Sequence, residues 1–362
     1  MGKFDKDRHQ KELAVRFCLA RGMTPFLEVL VSSMADLSDS VEVLTDLDVV
    51  GVESVSDGEL RRTIFDCKTA SKMSSVNRAF WAAGVMQYSG SHHSYVILKN
   101  KAVHNHRMSA LLMGVDLHND ASFIDLGRSL DPAFPEDVCY QSSLSRWGLV
   151  DESFQKLVWS RELLALVRNS VPLTKSPAAI FRRCIAELRS VRGEFDPGKE
   201  LHVSLFLEVV VGVCVLWTSL ARDARRLYEP TISREQFEKA LRYHLWGGKE
   251  SYLLRQQMRD RAAIDNQAVA AVELPAWDQL VAFVGLIISA PQSVFDCAHF
   301  CRELSFSLVC ERDPKFDGRL SALVARNSRL KQFSVALADY LVAACGLPKD
   351  LARRVKDVVF AI

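Results

Sequence analysis

Leu44 to Lys68 reads LTDLDVVGVESVSDGELRRTIFDCK. Two runs rich in Val, Leu, Ile and Phe flank a polar turn, Ser54 to Leu60, which carries Asp57 and Gly58, the pattern of a β-hairpin. Side chains alternate across a strand, so Asp66 and Lys68 share one face of the second strand while Phe65 and Cys67 share the other. On the first strand Asp46 and Asp48 share a face in the same way. Antiparallel pairing then brings Asp48 beside Asp66, and two carboxylates converge with one ammonium.

Like charges held close and partly desolvated repel unless a cation lies between them. Two Asp carboxylates are hard oxygen ligands that suit Mg²⁺, with Mn²⁺ able to substitute, and the metal keeps several waters. Such an ion activates water and offsets charge on a phosphoryl oxygen, with Lys68 steering or deprotonating the nucleophile.

Outward from the hairpin the chain alternates elements. Asp5 to Arg21 has the apolar spacing of a helix ended by Gly22, with Glu12 in its middle. Thr24 to Ser33 reads as a strand in which Glu28 also alternates toward the charged face and competes with Glu12. The loop Met34 to Ser40 leads into the hairpin. Ser75 to Tyr88 reads as a helix capped by Ser74 or Ser75 and stopped by Gly90. Tyr95 to Lys99 is an apolar strand, followed by a helix over Val103 to Met113, a strand over Val115 to Leu117 and a helix from Asn119 or Asp120 to Leu130. Arg61, Arg62, Lys72 and Arg78 put positive charge in the sequence around Asp66 and Lys68, as phosphate contacts require. His104 and His106 point to different sides of their helix, so they read as basic surface rather than a Zn²⁺ pair.

Asp48, then Asp66-Cys67-Lys68 at the end of the next strand, within the order α-β-β-β-α-β-α-β, resembles the PD-(D/E)XK nuclease superfamily over about residues 6–130. Leu47 stands at the pattern's proline, and the triplet opens with Asp rather than Glu. The resemblance implies a restriction-endonuclease-like mixed sheet flanked by helices. It also implies a Mg²⁺-dependent endonuclease acting on nucleic acid, with DNA foremost, in bacterial restriction, repair or anti-phage defence. Asp48, Asp66 and the Cys67 carbonyl would hold the metal, Lys68 would act on the attacking water, and Glu12 and Gln87 would assist. The alternative it leaves open is a nuclease-like protein that binds nucleic acid or scaffolds a complex without cutting.

The 362 residues, 49% hydrophobic, suffice for a large core and two domains, and a net charge of +2 gives no global attraction to nucleic acid. Nine cysteines without a CxxC pair read as reduced thiols of a cytoplasmic protein. The division expected is a nuclease-like α/β domain over 1–130, a linker over 131–148 carrying two prolines, and an all-α domain over 149–362. The helical domain offers a surface for a protein partner or a second copy. Its helices are expected over Glu152 to Asn169, Ser176 to Val191, Arg234 to Leu245, Lys249 to Asn266, Pro275 to Ile288, Ser293 to Cys310, Leu320 to Ala344 and Lys349 to Phe360. Leu201 to Ala221 is nearly long and apolar enough for a membrane span, but His202 and Glu208 make it a buried central helix. Cys297, His299, Cys301 and Cys310 read as packed side chains rather than a Zn²⁺ set. Arginines such as Arg182, Arg225, Arg255 and Arg353 are expected on the solvated surface.

Overall fold

A computed structural model describes residues 6–33, 42–55, 57–69, 73–264 and 272–362. The N-terminal part runs α1 (Arg8–Ala20), β1 (Thr24–Ser32), β2 (Val43–Ser54), β3 (Leu60–Lys68), α2 (Ser75–Ser89), β4 (His93–Leu98), α3 (His104–Leu111), β5 (Val115–Asn119) and α4 (Asp120–Leu130). This is the expected alternation of helix and strand. The strands lie side by side in chain order, antiparallel from β1 to β3 and parallel from β3 to β5. Parallel neighbours need crossovers, and α2 and α3 supply them.

Local chemistry accounts for these elements. On α1, Leu13, Ala14, Phe17 and Cys18 recur every three or four residues and are all buried. The helix comes close to β2, where a Cβ on Gly51 would lie 2.8 Å from both Cys18 Sγ and Met23 Sδ. Only glycine fits there without a shift. The β2–β3 turn places Gly58 at φ +88°, which the Asp57-Gly58 pair predicts. On one face of the sheet, Phe65 and Cys67 pack under α1 and α4, and the Phe17, Tyr95 and Phe123 rings surround Phe65 at centroid distances of 5.4 to 6.4 Å. On the other, Val96 meets Ala79 and Ala82 of α2.

The rest of the chain is helical: α5 (Leu144–Gln155), α6 (Arg161–Ala165), α7 (Val171–Leu173), α8 (Pro177–Ser190), α9 (Glu200–Leu227), α10 (Arg234–Leu245), α11 (Lys249–Ile264), α12 (Trp277–Ile287), α13 (Pro291–Ser307), α14 (Pro314–Arg326), α15 (Arg329–Cys345) and α16 (Lys349–Phe360). The helix α9 is long and apolar enough to cross a membrane, yet its apolar window is wholly buried inside the fold. It is the central helix anticipated for Leu201 to Ala221.

Three expectations need correction. Glu152 to Asn169 is not one helix: a 3-10 turn, α6 and a π turn over Leu166–Ser170 succeed α5. Pro172, second in α7, has no N–H to continue a regular ladder, which fits a π turn just before it. Leu320 to Ala344 is split between α14 and α15 at Asn327, whose side chain bonds Asp296 Oδ2 and the Arg329 N–H instead of prolonging the helix. Finally, residues 131–148 are no loose linker. Phe134, Tyr140, Gln141 and Leu144 are buried, α5 begins inside the stretch, and the Glu303 carboxylate accepts the Tyr140 and Gln141 N–H groups at 2.9 and 3.1 Å. Irregular backbone can be buried because a side chain satisfies it.

Sheet and helices share one apolar core, in which Phe26, Val50 and Ile64 join residues of α9 and α13. At this seam Arg302 of α13 is only 2% exposed. It pairs with Glu208 of α9 at 3.2 Å, donates to the Pro25 carbonyl, and lies 4.7 Å from the Phe26 ring and 5.4 Å from the Trp147 ring. Removing one partner of a buried pair strands the other charge, so Arg302→Ala should cost about 3–5 kcal/mol in urea unfolding. Arg302→Met combined with Glu208→Leu should cost clearly less. A double variant as damaged as Arg302→Ala would contradict this account.

Candidate active site

The paired register of β2 with β3 ends at Val49 and Phe65. The next pair in sequence would set Asp48 opposite Asp66, and it does not form. Instead β2 stays with β1, pairing Leu47 with Val29, while β3 stays with β4, pairing Asp66 with Val96 and Lys68 with Leu98. The sheet forks. Asp48 Oδ2 reaches into the opening and accepts the Cys67 N–H at 2.8 Å, replacing the lost ladder carbonyl, and also accepts from Lys68 Nζ at 2.8 Å. Across the fork Glu28 adopts φ +51°, which interrupts β1 where it would face Asp48.

Lys68 Nζ is the hub of the cluster. Besides Asp48 it lies 3.6 Å from Asp66 Oδ1 and 3.7 Å from Asp7 Oδ2. The Lys11 ammonium of α1 lies 3.4 Å from Asp48 Oδ1 and binds Glu28, and Arg78 of α2 approaches Asp66 Oδ2 at 3.3 Å. Four carboxylates thus meet three cations. Asp7, just before α1, accepts the Thr69 N–H at 2.6 Å.

Asp66 is the strained member. It is 3% exposed, and neither of its oxygens receives a hydrogen bond. Burial pushes its pKa up to about 6 despite Lys68 and Arg78. Burial works against the Lys68 charge as well, but Asp48 and Asp66 overcome it and hold the ammonium above its ordinary range. In this arrangement Lys68 is held as an ammonium ion.

Of the residues singled out in the sequence, Asp48, Asp66 and Lys68 come together, with the Cys67 backbone beside them. Glu12 does not join them. Its carboxylate pairs with Arg16 at 2.7 Å and caps the Leu144 N–H at 3.0 Å, and Glu28 takes the place considered for it. Gln87 is exposed, nine residues along α2 from Arg78 and so about 13 Å farther from the fork. Arg78 is the α2 residue at the site. Arg61 and Arg62 start β3, about 20 Å or more from Lys68, and Arg62 is committed to the Pro172 and Thr174 carbonyls. Lys72 lies outside the described residues. Asp7 and Lys11 were missed, although Lys11 extends the buried stripe of Ala14 and Cys18 on α1. A lysine on an apolar stripe signals a buried cation with acidic partners.

Asp66 and Asp7 Oδ2 lack hydrogen-bond partners and carboxylate oxygens are the donors a hard cation takes, but among the described residues no group of three or more His, Cys, Asp or Glu side chains is gathered as a metal site. Lys11, Lys68 and Arg78 already surround them, so a cation would have to share or displace that charge. Beside Lys68 opens a groove of about 340 Å³ lined by Arg78, Lys99, Lys101 and His106, with no carboxylate among the described residues of its wall. Compared with protein-family models, curated proteins and solved structures, the chain has no match.

The raised Asp66 pKa has a definite consequence for stability. The folded state holds this proton above the unfolded value, so without divalent ions the Asp66 contribution falls as pH rises from about 4 to about 6 and stays low above. Asp66→Asn should therefore stabilise the chain at pH 7.5 by about 2–3 kcal/mol and much less at pH 4. Denaturant unfolding in EDTA at both pH values checks this; an Asn variant less stable at pH 7.5 would contradict it.

Proposed function

We propose that this chain is a metal-dependent endonuclease of PD-(D/E)XK type that hydrolyses nucleic-acid phosphodiester bonds, with DNA as the expected substrate. The observation that carries the reading is the fork, where Asp48 and Asp66 flank the Lys68 ammonium on neighbouring strands and Asp66 is left without hydrogen bonds. The strand order, two antiparallel pairings followed by two parallel ones, supports the finer restriction-endonuclease-like fold.

In this reading Asp48 and Asp66, with the Cys67 carbonyl, would hold Mg²⁺ or Mn²⁺, which when bound would supply an activated water and offset phosphoryl charge. Lys68 orients the attacking water and stabilises the negative charge that develops on the phosphorane-like oxygens. Arg78, Lys99 and Lys101 hold the flanking phosphates in the basic groove, and Asp48, bonded to the Cys67 N–H, keeps Lys68 aimed. Glu28 holds Lys11 against Asp48.

A second reading has its own support. Lys11 on Asp48 and Arg78 on Asp66 are built-in cations that can do a metal's neutralising work, giving a nuclease-like site that binds nucleic acid without cutting.

Plasmid, linear DNA, single-stranded DNA and RNA incubated with Mg²⁺ or Mn²⁺ separate the two. Cleavage reduced at least about 100-fold by Lys68→Ala and by Asp66→Asn supports the nuclease. Cleavage undiminished in both variants removes the mechanism, and binding without cleavage favours the second reading.

Phosphate contacts appear as salt dependence. Lys99→Ala with Lys101→Ala should weaken DNA binding uniformly across sequences and reduce the slope of log K against log salt by about 2. Fluorescence anisotropy over a salt series measures it, and an unchanged slope would take the nucleic acid out of this groove.

A further inference from the structure

We infer that the outer face of α2 and α3 takes single-stranded nucleic acid, with phosphates in the groove beside Lys68 and an unpaired base stacked on Phe80. The inference rests on the nucleic-acid reading above for the class of ligand, and it names the form of that ligand.

Charge is the first argument. Residues 67–115 hold six lysines and arginines and not one Asp or Glu, although 44 of the chain's 362 residues are acidic. This stretch is α2, β4 and α3 with their loops. The two helices lie side by side on one face of the sheet: Ala79 and Ala82 of α2 and Ala110 of α3 share a core with Val96 and Val115, and Ser75 Oγ meets His106 Nδ1 at 2.8 Å. The next acid in the chain, Asp116, is in register with Tyr95, whose ring stacks on Phe65 on the opposite face of the sheet. A layer carrying one sign of charge is complementary to a polyanion.

The groove and one aromatic ring give the form. Arg78 is engaged by Asp66, but the Lys99 and Lys101 ammoniums have no ion pair among the described residues, and they line the groove together with Ser74, Ser75, Asn100 and His106. Five residues beyond Ser75, about 8 Å along the α2 axis, Phe80 stands 60% exposed, more than any other aromatic ring among the described residues. Asn77 and Gly84, also exposed on α2, leave the surface around it uncharged. Cations that follow a backbone beside a ring left in water are the parts of a single-strand site. In a duplex the base faces cover one another and only their edges are presented, so a ring on a helix surface has nothing to stack on. The groove, at about 340 Å³, lies near the lower end of the range of about 300–1,000 Å³ for ligand sites, which suits one unit of a chain at a time. Met108, Leu111 and Leu112 of α3 are exposed as well, and a face that docked by apolar area alone would not distinguish a ring from an aliphatic side chain.

Fluorescence anisotropy of the full chain in EDTA, where no cleavage is read, compares oligothymidylate and oligouridylate of about 20 nucleotides with a duplex of the same length. The tighter of the two single strands, which names the sugar, should bind at least ten-fold more tightly than the duplex. Phe80→Ala should weaken it at least about five-fold, Phe80→Leu should be as weak as Phe80→Ala, and Phe80→Trp should keep the wild-type affinity. Melting temperature verifies that changes at this exposed position leave the fold intact. Duplex bound as tightly as single strand, or Phe80→Ala or Phe80→Leu binding as well as the wild type, would overturn the inference. Strand binding of the expected kind without cutting in Mg²⁺ would leave it standing and remove the nuclease reading; duplex cutting without strand binding would do the reverse.

Discussion

The bond from the Cys67 N–H to Asp48 Oδ2 is the constraint on which the N-terminal architecture turns. A sheet whose strands part must satisfy the backbone groups it exposes, and here one carboxylate does so from across the gap. The same oxygen holds Lys68, so the group that closes the fork also collects the charges in it. Two aspartates opposite one another in a continuous ladder would repel. Parting the strands separates them and leaves room for ammonium groups between.

That opening is sustained from outside the sheet. The helix α1 brings Lys11 under Asp48, α2 brings Arg78 to Asp66, and the helical region holds β1 and β2 through the core around α9 and the buried Arg302. The sheet and the helices are therefore parts of one packed structure at the β1–β2 side. Glu12 shows how the two are stitched: it left the charged site to cap α5, whose first turn lies in the stretch between the two regions. A site at such a seam is sensitive to changes in either part.

Much of this was legible beforehand. Period-two alternation in Leu44 to Lys68 and the Asp57-Gly58 turn are local signals, and they placed the hairpin, the shared face of Asp66 and Lys68, and the order of elements. The buried character of α9 followed from His202 and Glu208 within an apolar run. What escaped depends on long-range geometry. Which side of α1 faces the fork differs by about 100° between Glu12 and Lys11, and the acidic residue was the more familiar choice. Gln87 lay on the right helix at the wrong end. The stretch 131–148 looked loose because it lacks periodicity, while Glu303, more than 150 residues away, satisfies its backbone.

The proposed metal-dependent reading rests on a buried Asp66 that lacks hydrogen bonds and lies with Asp48 around Lys68. Titration of Mn²⁺ into the full chain at pH 7.5, followed by calorimetry or by loss of the free-ion electron paramagnetic resonance signal, tests this most directly. The account predicts a saturable site in the wild type that Asp66→Asn abolishes. Absence of binding, or binding that survives Asp66→Asn unchanged, would contradict it.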